Sequence, residues 1–250
     1  MQINFAGREI GLKLVYYGPA LSGKTSNLRS LHQLTSERSR GRLMTLETKD
    51  DRTLFFDMLP LTLRAEGEER ASGGPPGMTL RIKIFTVPGQ VLHSSTRRLV
   101  LQGADGVAFI ADSQISETEH NAASFLDLRN NLKELGLAIK GLPLVIQFNK
   151  RDLDHVRSDA EIDALASRGR EPVFKASAVR GDGVIETFFG LLHLAWTQLD
   201  REHQLAKMLG IRQEALLPMA ARQLGLSKDV SVLLSSCVGG RLERRPQVSS

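Results

Sequence analysis

At 250 residues, 41% of them hydrophobic and 24% charged, the chain has the composition of a soluble globular protein with one substantial core. No apolar run approaches the roughly 20 residues that span a bilayer, and one cysteine, Cys237, excludes an intramolecular disulfide. The net charge of +5 is uneven: residues 201–250 hold eight Lys/Arg against four Asp/Glu, a balance of +4, while the other 200 residues hold 25 against 24, a balance of +1. That excludes a nucleic-acid face on the body and confines the basic character to the tail.

In chain order, MQINFAGREIG carries charge before any long apolar stretch, and Gln2 and the final VSS match no lipidation signal, so a cytoplasmic protein is expected. The six dispersed histidines offer no zinc-ligand spacing. IGLKLVYY (10–17) is apolar and partly β-branched and predicts a strand. GPALSGKT (18–25) follows, and Leu28, Leu31 and Leu34 then recur at helical spacing. Strand, glycine loop and helix in that order predict a phosphate cradle. Backbone N–H groups of Gly18, Pro19, Ala20, Leu21, Ser22, Gly23, Lys24, Thr25 and Ser26 would line it, proline's missing N–H aside, with the helix N-terminus behind them. Lys24 would reach the β- and γ-phosphates, and the Thr25 hydroxyl would ligate Mg2+.

RLMTLE and LPLTL predict further extended pieces, and RAEGEERASGGPPGM (64–78) a loop. LRIKIFTV predicts a strand that runs into TVPGQ (86–90). There Gly89 can offer its N–H to a γ-phosphate and Gln90 can orient a water for hydrolysis. GVAFIADS and PLVIQFNK predict buried strands, with helices near 97–102, 122–136 and 159–169 between and after them. FNKRD (148–152) leaves a strand end, where ligands bind in such sheets. Asp152 can accept from guanine N1–H and N2–H2 together, whereas adenine leaves that carboxylate unpaired. Asn149 can hold the loop and the base edge, and the Lys150 stem can cover the purine face. PVFKASA predicts the last strand, with Ser177 and Ala178 small enough for backbone N–H groups to approach a base carbonyl. A helix over 183–202 would bury Phe188, Leu191, Leu192 and Ala195. The fold class is therefore α/β, a mostly parallel sheet flanked by helices, and the ligand GTP or GDP with Mg2+.

The runs VYYGPALSGKTSNL, DRTLFFDMLPL, FTVPGQV, DGVAFIADSQ and VIQFNKRDL are similar to those of Ras-like small GTPases, which are P-loop NTPases, and within them to the bacterial MglA group of cell-polarity and gliding-motility proteins. The resemblance spans roughly residues 8–199. It implies that Thr53 senses Mg2+ and the γ-phosphate and that Arg52 is an arginine finger; from the residues alone, Arg52 pairing with Asp50 or Asp51 is an equal reading. It implies catalytic roles for Gln90, Arg52 and Lys24, metal contacts from Thr25 and Thr53, and a roadblock-fold activating partner (MglB-like) besides effectors it does not name. Thr86 stands where Ras-like enzymes in general carry a Mg2+-binding aspartate, a substitution the MglA group shares.

The expected organisation is a GTPase domain over 1–200 and a basic tail over 201–250, helical in part, with a break near Gly210 and Pro218. The tail reads as short helices packing on the body or a partner, and a peripheral membrane contact is a second use for it. AARQLGLSKDVSVLL has part of a helix-turn-helix spacing, too little to predict DNA binding. The leading function is a GTP-hydrolysing switch. Thr86 favours a GTP-binding scaffold with little hydrolysis, and an ATP-dependent phosphotransferase is disfavoured by Asp152.

Overall fold

The computed structural model describes residues 1–47, 55–64, 79–88, 94–209 and 213–238. Strand β1 is Gln2–Asn4, a three-residue element the hydrophobic pattern does not predict. Strand β2 (Glu9–Tyr17) sorts its residues by parity. Ile10, Leu12, Leu14 and Tyr16 enter one buried cluster, while Val15 and Tyr17 enter another, because successive strand side chains point to opposite faces. Helix α1 (Lys24–Leu34) follows. Strands β3 (Met44–Glu47), β4 (Phe55–Arg64) and β5 (Thr79–Thr86) precede helix α2 (Ser94–Leu101). Then come β6 (Gly106–Asp112), α3 (Thr118–Glu134), β7 (Leu144–Asn149), α4 (Asp159–Arg168), β8 (Val173–Lys175) and α5 (Val184–His203).

The sheet order is β3-β4-β5-β2-β6-β7-β8, with β1 beside the start of β2. β2 pairs in parallel with β5 and β6, β6 with β7, and β7 with β8. β3 and β4 form an antiparallel pair laid antiparallel on β5. The mostly parallel α/β architecture is thus present, with an antiparallel edge. One face of the sheet is covered by α1 and α5, the other by α2 and α3. Phe188, Leu191, Leu192 and Ala195 of α5 are buried as their spacing predicts, and Gly190 lets the Phe174 ring lie on the helix.

Helix α5 runs through residue 200, and α6 (Leu205–Leu209), α7 (Leu216–Gln223) and α8 (Val230–Ser235) follow. Leu205, Leu209, Leu216, Ala220, Leu224 and Leu233 join the same buried cluster as α1 and α5. Helix α7 starts two residues before Pro218, so the helix break expected near that residue lies just ahead of it. Pro218 is the third residue of α7, where a helix has no intrahelical partner for the N–H that proline lacks. Gly210 lies outside the described residues. Gln223 clasps the end of β4 with its side-chain amide, accepting from Arg64 N–H at 2.8 Å and donating to the Arg64 carbonyl at 2.6 Å. Among the described residues no helix is long and apolar enough to cross a membrane.

Candidate functional site

The loop between β2 and α1 needs its glycines. Gly18 has φ +148°, and a Cβ there would sit 2.2 Å from the Ile110 carbonyl oxygen. Gly23 has φ +93°, and a Cβ would sit 2.2 Å from Asn149 Nδ2. Both the backbone conformation and the close approach exclude a side chain. Pro19 and Ser22 are buried, whereas Ala20 and Leu21 are exposed at the loop's tip. Leu21 takes a left-handed φ of +60° although it is not glycine. Thr25 and Ser26 are half-buried in the first turn of α1.

Lys24 is buried, and its Nζ donates to the carbonyls of Gly18 at 2.9 Å and Pro19 at 2.6 Å. Burial, and then the positive charge of Arg97, push its ammonium down to about 7. Arg97, buried on α2, forms an ion pair with Asp127 of α3 at 3.0 Å. Tyr17 donates to the same carboxylate and accepts from Asn131 at 3.1 Å. The loop therefore concentrates positive potential and peptide donors at the C-terminal end of β2.

Thr86 is not the end of the acidic story. Asp57 on β4 lies beside it, 8% exposed, and puts a carboxylate at this end of the sheet. Its Oδ2 accepts from Thr25 Oγ1 at 2.6 Å, and its Oδ1 from Thr45 Oγ1 at 2.8 Å. The Asp57 N–H donates to Thr86 Oγ1 at 2.8 Å. Sequence reasoning missed Asp57 as a site residue. The signal was its parity: it occupies the face of β4 that buries Leu59, Leu61 and Leu63, where a lone carboxylate calls for partners.

At the base-reading end, Asn149 closes β7 and reaches two other segments. Its Nδ2 donates to the Ser22 carbonyl at 2.8 Å, and its Oδ1 accepts from Ala178 N–H at 2.9 Å. Lys150 adopts φ +67°, and its Nζ pairs with Asp112, the last residue of β6, at 2.5 Å. Asp152 Oδ1 accepts from Ser177 Oγ at 2.5 Å. The N–H groups expected at a base carbonyl both have protein partners: Ser177 donates to Asp182 at 3.0 Å and Ala178 to Asn149. A base carbonyl would share the Ala178 bond or displace it. Thus Gly18, Gly23, Lys24, Thr25, Asn149, Lys150, Asp152, Ser177 and Ala178 meet at one sheet end. Arg52, Thr53, Gly89 and Gln90 lie outside the described residues. Besides Asp57, the site draws on Asp112 through Lys150 and on Arg97 beside Lys24, neither of which the sequence analysis singles out.

No protein-family model matches the chain. It is 43% identical over 199 residues to the mutual gliding-motility protein MglA of Myxococcus xanthus (strain DK1622), a match covering 80% of this chain and 97% of the relative.

Proposed function

Because the chain belongs to the MglA group of Ras-like small GTPases, we propose that it is a switch that binds GTP, hydrolyses it to GDP, and controls partner binding in cell polarity or gliding motility. The observation that carries this reading is Asn149, whose one side chain joins the phosphate loop, the NKRD segment and the Ser177–Ala178 turn. Those three segments are the ones whose chemistry suits phosphates and a guanine edge. Asp152, tethered by Ser177, is the acceptor for guanine N1–H and N2–H2, which adenine lacks.

The residues present fit Mg2+, a hard cation that takes oxygen donors and commonly one or two carboxylates beside phosphates. Thr25 and Asp57 offer a hydroxyl and a buried carboxylate within hydrogen-bond reach of each other, and Thr53 would add to them. When bound, the ion would neutralise phosphate charge. Lys24 and the N–H groups of the loop would hold the β- and γ-phosphates. Gln90 would orient the attacking water, Gly89 would donate to the γ-phosphate, and Arg52 would offset charge that develops on the transferred group. Loss of the γ-phosphate would release the segments that carry Thr53 and Gly89. A roadblock-fold partner of the MglB kind would speed hydrolysis, and the basic tail would supply any peripheral contact with an anionic membrane.

Thr86 alone favours a scaffold that holds GTP without hydrolysing it; the Asp57 carboxylate beside it supports the switch. Single-turnover hydrolysis on GTP-loaded protein with Mg2+ tests the proposal. GDP formation that is lost in Gln90→Ala supports the switch, whereas GTP that stays intact in both, with and without a roadblock-fold partner, leaves only the scaffold.

A further inference from the structure

Two buried side-chain amides beneath the phosphate loop take no part in the chemistry above. Asn27 of α1 and Gln147 of β7 are both 0% exposed, set among Leu28, Leu31 and Val145. They form a reciprocal pair: Asn27 Nδ2 donates to Gln147 Oε1 at 2.9 Å, and Gln147 Nε2 donates back to Asn27 Oδ1 at 2.9 Å. Asn27 Nδ2 also donates to the Gly23 carbonyl at 3.0 Å, and Gln147 Nε2 to Thr187 Oγ1 of α5 at 2.8 Å. Thr187 in turn donates to the Gly183 carbonyl at 2.7 Å. A carbonyl can only accept, so the Asn27 group facing Gly23 is the NH2, and that fixes the direction of both amides. Leucines here would pack without four hydrogen bonds to satisfy, so stability alone gives no reason for the pair.

Peptide geometry supplies the reason. The described peptides are all trans, and in a planar trans peptide the C=O and the following N–H point in opposite directions. Asn149 holds the Ser22 carbonyl, which turns the Gly23 N–H to the opposite side. Asn27 holds the Gly23 carbonyl twice, with its backbone N–H at 2.9 Å and its side-chain amide at 3.0 Å, which turns the Lys24 N–H likewise; the side chain is the part that ties this carbonyl to β7. These N–H groups precede Asn27, the first intrahelical donor of α1, and so are the donors of an anion cradle. Gln147 and Asn149, two apart on β7, lie on one face of the strand.

We infer that Asn27 and Gln147 are positioning residues through which β7, the strand that ends in the base-reading loop, aims the Lys24 N–H at the nucleotide's phosphates. This rests on the guanine-nucleotide reading above.

The test compares GDP and guanosine binding, by calorimetry and by displacement of a fluorescent GDP, in the full chain with Mg2+. In Asn27→Leu/Gln147→Met both partners are replaced by apolar groups, so the melting temperature stays near wild type. GDP binding should nonetheless weaken about tenfold, as for one lost hydrogen bond to a charged group, with guanosine binding unchanged. Gln147→Met alone should shift GDP the same way by a smaller factor while lowering the melting temperature, because Asn27 is left without its partner. Wild-type GDP affinity in both variants, or an equal loss for GDP and guanosine, overturns the inference. A wild-type chain that binds no GDP overturns the guanine-nucleotide reading itself, a separate result.

Discussion

Lys24→Met should make the nucleotide-stripped protein more stable near pH 6 while abolishing its tight hold on GDP. The Lys24 ammonium is pushed from 10.5 to about 7, first by burial and then by Arg97. Its folded value lies below its unfolded one, so between about pH 7 and 10.5 the unfolded chain binds more protons, and stability rises with pH across that window. Below about pH 7 the cost of burying the charge is fully present; above 10.5 it is gone. At about 1.4 kcal/mol per decade the full cost is on the order of 5 kcal/mol. The bonds from Nζ to the Gly18 and Pro19 carbonyls return part of this, about 1–3 kcal/mol. Methionine removes the charge and keeps the stem's packing, for a net gain of a few kcal/mol at pH 6, or roughly 5–10 °C in melting temperature for a chain of this size. The gain should fade toward pH 10. Phosphates should restore the charge: at pH 8 a group with a pKa near 7 is mostly neutral, so GDP binding should take up close to one proton. Calorimetry in two buffers of different ionisation enthalpy measures that uptake. A melting difference between variant and wild type that is flat from pH 6 to 10, together with no proton uptake at pH 8, would refute the reasoning.

Asp57→Asn keeps the shape at Thr25 and Thr45 but removes the charge, so release of fluorescent GDP, slowed by Mg2+ in the wild type, should speed up about 10–100-fold in Mg2+ and become insensitive to EDTA. Gly190→Ala places a Cβ 2.3 Å from Phe174 Cζ; a chemical-denaturation midpoint should report a loss of about 1–3 kcal/mol from overpacking. Gln223→Ala removes both bonds to the Arg64 backbone, and amide exchange at Thr62 and Arg64 should quicken with at most about 1 kcal/mol lost in global stability.

What was legible in the sequence is what repeats or punctuates. The alternation in β2, the leucine spacing of α1 and the glycines of the loop each carry a period or a forced backbone angle, so strand, loop and helix were predictable together. β1 has three residues, too few to show a period. The extended character of 42–47 and 59–63 was legible, but not that these pieces pair antiparallel, because pairing joins residues distant in the chain and leaves no local mark. Pro218 punctuates in a different way: a proline is harmless in a first turn, so here it stands at a helix start and not inside a longer helix. Gln147 and Asn27, 120 residues apart, carry no local mark of each other, and the fold is what pairs them.

In the proposed reading, the charge that Thr86 cannot supply comes from Asp57 on a neighbouring strand. An aspartate on β5 would move with β5, a strand held in parallel register to β2 and so to the phosphate loop itself. Asp57 instead rides on β4, whose strand neighbours are β3 and β5, and meets the start of α1 through the Thr25 hydroxyl. Asp57 stands four positions after Thr53 in the chain, so the carboxylate and the expected γ-phosphate sensor are close in sequence. The far end of that strand is held at Arg64 by Gln223 of the tail. A force on β4 therefore reaches the carboxylate directly, and reaches β2 through the ladder that β4 shares with β5. The carboxylate contributes comparable charge from either strand; what differs is which part of the fold can take it away.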